Sequence, residues 1–323
     1  MILSDDESLF LIEQAGKAPS GHNTQPWQFL LHDSGIDIRP DYRRALPVVD
    51  PDHRELFVSL GCAAENLCIA AAHRGYHTSL SIDDNGIIRI RLSRTMPPQS
   101  AQHFAHISVR QTNRSLYNGK RIPAHDMATL RSVTTENGIA IHDFANGTPA
   151  YAAIADLIYA GNRLQMRSQA FCDELQQWMR YNKKHQDDTR DGLSYAVFGA
   201  PNLPRFLAQF IITHTLNADS QNRSERKKIA AASHFILLTT HDNTRVQWIQ
   251  LGRTLQRLLL TATALDIAHA YANQPNEIPE LSEKMATILG ITEEHPVILL
   301  RLGYGKPMPY SLRKPASATL ADT

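Results

Sequence analysis

The sequence predicts an α+β fold, because strand-like and helix-like segments both occur and one helix-then-strand unit is seen twice. From Arg54 to Tyr76, RELFVSLGCAAENLCIAAAHRGY carries Leu60, Ala64, Leu67 and Ala71 on one helical stripe. Pro51-Asp52 offers a start and Gly75 a stop. Downstream, GIIRIRLSR (residues 86–94) alternates as a half-buried strand does, and Pro97-Pro98 ends the pattern. Upstream, QFLLHDSGIDIRPD places two apolar runs around Asp33-Ser34-Gly35, which predicts a hairpin.

The second unit is RVQWIQLGRTLQRLLLTATALDI, Arg245 to Ile267, preceded by the strand HFILLTT and followed by VILLRLGYG. An offset of 191 residues lays Leu60-Gly61 on Leu251-Gly252, Leu67 on Leu258 and Ala71 on Ala262. This is read as a diverged internal repeat, with chance similarity of two amphipathic helices as the alternative. Between the units, Pro149 to Arg180 has a long helical pattern. Residues 181–204 then lose periodicity and carry Gly192, Gly199, Pro201 and Pro204. A loop of that length is usually functional or disordered. Its apolar island of Leu193, Tyr195, Val197 and Phe198 favours a lid.

Composition narrows the class. Of 323 residues 42% are hydrophobic and 20% charged, as in ordinary globular proteins, and 33 basic side chains nearly cancel 32 acidic ones. Neither nucleic acid nor an anionic membrane is favoured as a partner. The N-terminus MILSDDESLF begins acidic where a secretory signal begins basic, so a cytoplasmic location is expected. Cys62, Cys68 and Cys172 have no CxxC spacing and are read as buried reduced thiols.

No metal site is expected, since no HExxH or histidine–cysteine spacing suits zinc. GxSxG, GxxxxGK[ST] and GxGxxG are also missing, which argues against a serine hydrolase, a P-loop and a Rossmann dinucleotide site. Three polar clusters remain. In APSGHNTQPW, residues Ser20, Gly21, Asn23 and Gln25 offer amides and backbone N–H groups to the edge of a flat heterocycle. In RQTNRSLYNGKRIP, residues Arg110, Thr112 and Arg114 alternate within five residues, a pattern suited to a phosphate monoester. SLRKP adds Arg313 and Lys314. Each basic run alone is also ordinary solvated surface. His22 and Trp27 suggest proton transfer and stacking, against a loop-capping histidine and a core tryptophan.

Taken together, APSGHNTQPWQF, DYRRALPVVDPDHRELFVSLGCAAENL, RQTNRSLYNGKRIP, LGRTLQRLLLTATALDIAHAYANQPNE and ILLRLGYGKPMP resemble the nitroreductase-like flavoproteins, specifically their tandem, Acg-type subfamily. The resemblance spans about residues 10 to 315. It implies two fused nitroreductase-like halves, residues 1–105 and 106–323, each a mixed sheet flanked by helices. The halves pack about a pseudo-twofold axis on the two repeated helices, giving a monomer that mimics a dimer. It also implies FMN as cofactor. Arg110, Thr112, Asn113 and Arg114 match the phosphate-gripping motif and Arg313 the basic tail residue. Ser20, Gly21, Asn23 and Gln25 match the loop that closes the flavin from the other half. Asn273, Gln274 and Pro275, following Ala272, stand on the N5 side.

The first half lacks an arginine pair at the phosphate position and the second lacks the PSxxNxQPW loop. One complete pocket, and so one FMN per chain, is expected. The resemblance implies an NAD(P)H oxidoreductase reducing nitroaromatics, quinones or a similar small electrophile, the flavin itself carrying the chemistry. The alternatives are an FMN-sequestering protein with a closed lid over 181–204, and a specialised oxidative or dehalogenating enzyme.

Overall fold

The computed structural model describes residues 3–94, 103–215 and 218–321, so the Pro97-Pro98 break lies outside the described residues. Helix α1 (Asp5–Gly16) starts where the Ser4 side chain accepts the Glu7 N–H, with Asp5, Asp6 and Glu7 at the positive end of its dipole. Strands β1 (Trp27–His32) and β2 (Gly35–Pro40) form the expected hairpin, with His32 opposite Gly35.

Helix α2 (Arg54–His73) is capped from upstream, since the Asp50 carboxylate accepts the N–H groups of Glu55 and Leu56 at 3.0 and 2.9 Å. It ends at the expected stop, Gly75, whose φ of 78° closes the turn, and Tyr76 opens β3 (Tyr76–Ile82). Strand β4 (Ile88–Arg94) pairs back on β3. By length and composition α2 could cross a membrane, yet it is mostly buried in the core, as a central helix must be when apolar all round.

Helix α3 (Phe104–Ile107) contains the anticipated boundary at residue 105, and α4 (Ala124–Arg131) and β5 (Ile139–Ala145) follow. The long helical pattern after Pro149 is two helices, α5 (Pro149–Arg167) and α6 (Gln169–Trp178). Ser168 divides them, its extended backbone and side-chain bond to the Phe171 N–H starting a new helix. The segment expected to be a loop is largely regular: β6 (Met179–Arg180) pairs in parallel with β7 (Leu193–Ser194) around α7 (Lys183–Thr189). Then come α8 (Arg205–Thr215), α9 (Ala218–Ala230), β8 (His234–Thr240), α10 (Arg245–Ala264), β9 (Ala268–Tyr271), α11 (Pro279–Leu289) and β10 (His295–Gly303).

Two four-stranded sheets result, β1-β2-β4-β3 and β5-β8-β10-β9. Ranked along the chain, each runs first, second, fourth, third, and each has its long helix between the second and third strands. Where the first sheet has the tight turn at Asp33-Ser34, the second inserts everything from α5 to α9. Both sheets are antiparallel throughout their strands, not mixed. Among the described residues parallel pairing is confined to β6–β7 and to bridges of Phe29 with Leu320 and Thr112 with His269. The bridge to Leu320 means that the C-terminal tail returns to the edge of the first sheet.

Helices α2 and α10 cross at their glycines. A Cβ on Gly61 would lie 2.0 Å from the Ile249 carbonyl oxygen, and one on Gly252 would lie 2.1 Å from that of Val58. These contacts are reciprocal at the same offset of 191, as Val58 maps on Ile249 and Gly61 on Gly252. One turn on, Glu65 pairs with Arg257 and Asn66 accepts from Gln256 at 2.7 Å, again reciprocal positions. The stripe of Leu60, Ala64, Leu67 and Ala71 is fully buried against this seam and the first sheet.

Candidate functional site

The opening loop and the segment after α3 meet across the molecule. Two adjoining cavities, of about 740 and 620 Å³, share a wall of Pro19, Ser20, Thr112, Arg114 and Leu193. Their sizes lie in the range of small-molecule sites.

The first cavity is the basic one. Residues 110–114 run extended beside β9, bridging at Thr112–His269, and Arg110, Thr112 and Arg114 line the cavities, with Gln111 also bordering the first. Asn113 points the other way: its side chain donates to the Lys306 carbonyl at 2.7 Å and accepts from the Ser115 N–H, and it lines neither cavity. Arg110 donates to the Lys17 carbonyl, but its Nε and Nη1 have no partner. Arg313, from the tail, donates to the Ala18 carbonyl and leaves Nε unpartnered. Burial, with Arg110 beside it, pushes Arg313 down to about 9, and burial lowers Arg110 as well.

The second cavity is larger in apolar surface, walled by Phe171, Leu175, Met179, Tyr195 and Phe198. Arg301 of β10, absent from the sequence expectations because it sits inside an apolar strand pattern, lines it. That side chain is 2% exposed, lies over the Tyr117 ring and leaves Nη1 unpartnered. Burial pushes Arg114 down to about 10, Arg301 adding to the effect. Among the described residues none of Arg110, Arg114, Arg301 or Arg313 forms an ion pair with a carboxylate. Two buried guanidiniums, Arg110 and Arg301, and two half-buried ones, Arg114 and Arg313, without counter-ions are costly, and an anionic ligand is what would offset them.

The opening loop is strained, with His22, Asn23 and Gln25 all at positive φ. Ser20 and Gly21 line the cavities, and the Ser20 hydroxyl accepts the Gln25 N–H. Asn23 and Gln25 are spent differently from expectation. The Asn23 amide donates to the carbonyls of Gly192 and Leu312, and Gln25 donates to that of Arg190 while accepting the Lys314 N–H. They tie the segment 181–204 and the tail to the loop; Asn23 still borders the first cavity, Gln25 neither. Asp191 adds ion pairs to Arg44 and Arg180. Trp27 is a core residue, 1% exposed. His22 lines the second cavity with Nε2 unpartnered, and burial with Arg114 nearby lowers it to about 4, so it is neutral.

On the far wall Asn273 and Gln274 line the second cavity; Pro275 does not. Asn273 donates to Glu55 of α2, and Gln165 of α5 donates to Glu277, both acids facing the cavity. This carboxyl pair also escaped the sequence reading, since Glu55 and Glu277 are far apart in the chain and neither lies in a recognisable motif. Cys62, Cys68 and Cys172 are free thiols, but only Cys62 of α2 is fully buried, against α10 with its pKa raised by burial; Cys68 and Cys172, expected to be buried, are partly exposed. Among the described residues no cluster of His, Cys, Asp or Glu could hold a metal.

Residues 148–304 match the model of the nitroreductase family; that stretch begins after Arg110–Arg114. Over nearly its whole length the chain is nitroreductase-like and similar to the Acg type. It is 24% identical to the Mycobacterium tuberculosis protein named "Putative NAD(P)H nitroreductase Rv3131", over 94% of this chain and 88% of that one. To "Putative NAD(P)H nitroreductase acg" of the same organism it is 23% identical, over 94% and 92%. Among solved structures, FMN-dependent NfnB from Mycobacterium smegmatis in complex with NADPH overlays at a TM-score of 0.44 with 16% identity, covering 70% of this chain and all of that one. A Bacteroides fragilis nitroreductase with bound FMN overlays at 0.41 with 15% identity, covering 68% and 99%.

Proposed function

We propose that the chain is an FMN-dependent NAD(P)H oxidoreductase of nitroreductase type, built as two fused halves that enclose one flavin. The observation that carries this is the set of buried and half-buried guanidiniums without counter-ions. Arg110 and Arg313 leave three unpartnered N–H-bearing nitrogens beside the basic cavity, a donor set suited to a phosphate monoester. Thr112 and Ser20 lie on the shared wall where the flavin would pass into the second cavity. Arg114 would approach the ring edge, with Asn273 and Gln274 on the wall assigned to its N5 side. The reciprocal contacts of α2 and α10 and the shared strand order support the reading of two fused copies about a pseudo-twofold axis, a monomer as the functional unit.

Bound FMN would supply hydride and electron transfer. The protein's residues would anchor the phosphate, hold positive charge near the ring and keep bulk water from the second cavity behind Phe171, Tyr195 and Phe198. The acceptor would be a nitroaromatic, quinone or similar small electrophile.

A second reading, FMN sequestration with little turnover, is favoured by one feature. The segment 181–204 acts as a lid whose inner edge, Arg190 to Leu193, is tied down by Asn23, Gln25, Arg44 and Arg180 and by the bond from Arg190 Nε to the Arg313 carbonyl at 2.9 Å. Stopped-flow mixing of FMN-loaded protein with excess NADH or NADPH separates the readings: rapid bleaching supports the reductase, and yellow colour persisting for minutes supports sequestration. Colourless protein that ignores added FMN overturns both.

A further inference from the structure

Every two-electron reduction of a quinone or nitro group consumes protons as well as electrons, and a covered cavity must supply them from its walls. The second cavity has one place suited to this. Glu55, from α2, and Glu277, from the loop before α11, both line its wall, close enough for each to perturb the other's charge. Asn273 donates to Glu55 and Gln165 donates to Glu277. Each acid is half-buried, and both line the cavity.

The groups around the pair leave it short of positive charge. Asp50 lies nearby with its carboxylate occupied by the Glu55 and Leu56 N–H groups. Arg54 faces all three acids, donating to the Asn276 carbonyl, and His53 lies beside Asp50. Tyr271 is also close to Glu55, while Gln165 and Asn273 are neutral. Three carboxyls against one guanidinium favour keeping a proton on the pair. Burial raises both acids above the usual carboxylate range, Glu277 to about 7. An independent feature says that a ligand reaches this chamber: Arg301, fully buried and lining it, has Nη1 without a partner, ready to hold an electron-rich oxygen.

We propose that Glu55 and Glu277 share one proton at the cavity wall and deliver it to an oxygen of the electron acceptor, making them the general acid of the oxidative half-reaction. The inference rests on the reductase reading. For a quinone, the acceptor gains two electrons and one hydrogen as hydride equivalent, furnished by the nicotinamide donor by way of the flavin. It gains one proton from the pair. A carboxyl O–H bond breaks, an O–H bond forms on the quinone oxygen, and the pair, left with both carboxylates charged, regains its proton from water. The oxygen that receives the proton is stabilised by Arg301 as charge builds on it.

The test compares two oxidants of the reduced flavoprotein. A quinone needs the proton; ferricyanide, a one-electron outer-sphere acceptor, does not. In Glu277→Gln the ratio of the quinone rate to the ferricyanide rate should fall by about 100-fold, within the range of general acid catalysis. The wild-type quinone rate should fall as pH rises past about 7 and show a solvent deuterium effect that the variant lacks. Flavin-free protein supplies a readout independent of turnover. Its infrared spectrum should hold a protonated-carboxyl band that persists to near neutral pH and disappears in Glu277→Gln. An unchanged rate ratio with the band lost retires the proton-delivery role. No such band in folded wild-type protein retires the shared proton. Failure of wild-type flavin to bleach with NAD(P)H would instead strike the reductase reading, leaving the infrared result to judge the pair by itself.

Discussion

Gly61 and Gly252 face one another across the α2–α10 crossing, and neither position has room for a methyl group. A Cβ on either would press into a backbone carbonyl of the opposite helix, at 2.0 and 2.1 Å. The backbone cannot yield as a side-chain tip can, so the helices would have to part. Gly61→Ala should destabilise the protein by about 1–3 kcal/mol or more, seen as a lower urea midpoint. Gly16→Ala, at a site with nothing within 4 Å, should leave that midpoint nearly in place.

Arg110 makes a prediction of opposite signs. It is 5% exposed, has two unpartnered nitrogens and no carboxylate, so in flavin-free protein it is a liability. Arg110→Met should leave that form equally or more stable, while weakening FMN binding by about 1.5–3 kcal/mol for each charged hydrogen bond lost. Titration with riboflavin alongside FMN isolates the phosphate: wild type should prefer FMN, and the variant should lose most of the preference. Equal preference in both proteins would remove Arg110 from the phosphate site.

The carboxyl pair predicts an unusual pH slope for flavin-free protein. Folding raises Glu277 from an ordinary carboxylate value to about 7 and raises Glu55 with it. The folded state therefore holds more protons than the unfolded chain between about pH 4.5 and 7. The stabilisation is fully present below that window and lost as pH rises through it. Acids lowered on folding, such as Asp191, Asp143 and Glu294, act below the window. Histidines lowered on folding, His22 to about 4 and His269 to about 3 among them, add a slope of the opposite sign, so the pair is read by difference: between pH 5 and 8 the urea midpoint of wild type should fall relative to that of Glu277→Gln.

Asp191 holds the segment 181–204 through Arg44 and Arg180. Asp191→Ala leaves two guanidiniums without their partner, a loss of about 3–5 kcal/mol for a buried pair, and should concentrate proteolytic cleavage between residues 181 and 204. If the lid limits access, the same variant should bleach faster with NADH in stopped flow; unchanged bleaching with faster cleavage would show that the lid does not gate the flavin.

Much of this was legible in the sequence. The Asp33-Ser34 hairpin, both long helices and the strands at 88–94 and 234–240 follow from periodicity and turn residues, which act locally. Arg110, Thr112 and Arg114 could be grouped because an extended segment exposes alternate residues on one side; Asn113 turns away, though Gln111 also reaches the first cavity. The misses depend on contacts distant in sequence. Arg301 reads as one interruption in VILLRLG, and only the fold shows it buried beside a cavity. Asn23 and Gln25 have the right chemistry to meet a ligand, yet their amides are spent on Gly192, Leu312 and Arg190, whose approach no local pattern announces. Residues 181–204 lose helical periodicity because their pieces are too short to show it.

The seam between α2 and α10 holds two matched contacts of different chemistry: Glu65 is ion-paired with Arg257, while Asn66 meets Gln256 amide to amide. Two identical subunits meeting on a true twofold would repeat one chemistry at both places, because every substitution would appear twice. A single polypeptide carries no such obligation, so one contact can be charged and its counterpart neutral, and an advantageous change on one side need not be tolerated on the other. On the reading of two fused copies, the same release from symmetry would let a strand-to-strand turn stay two residues long in one sheet while the corresponding joint in the other grows into an entire helical cover.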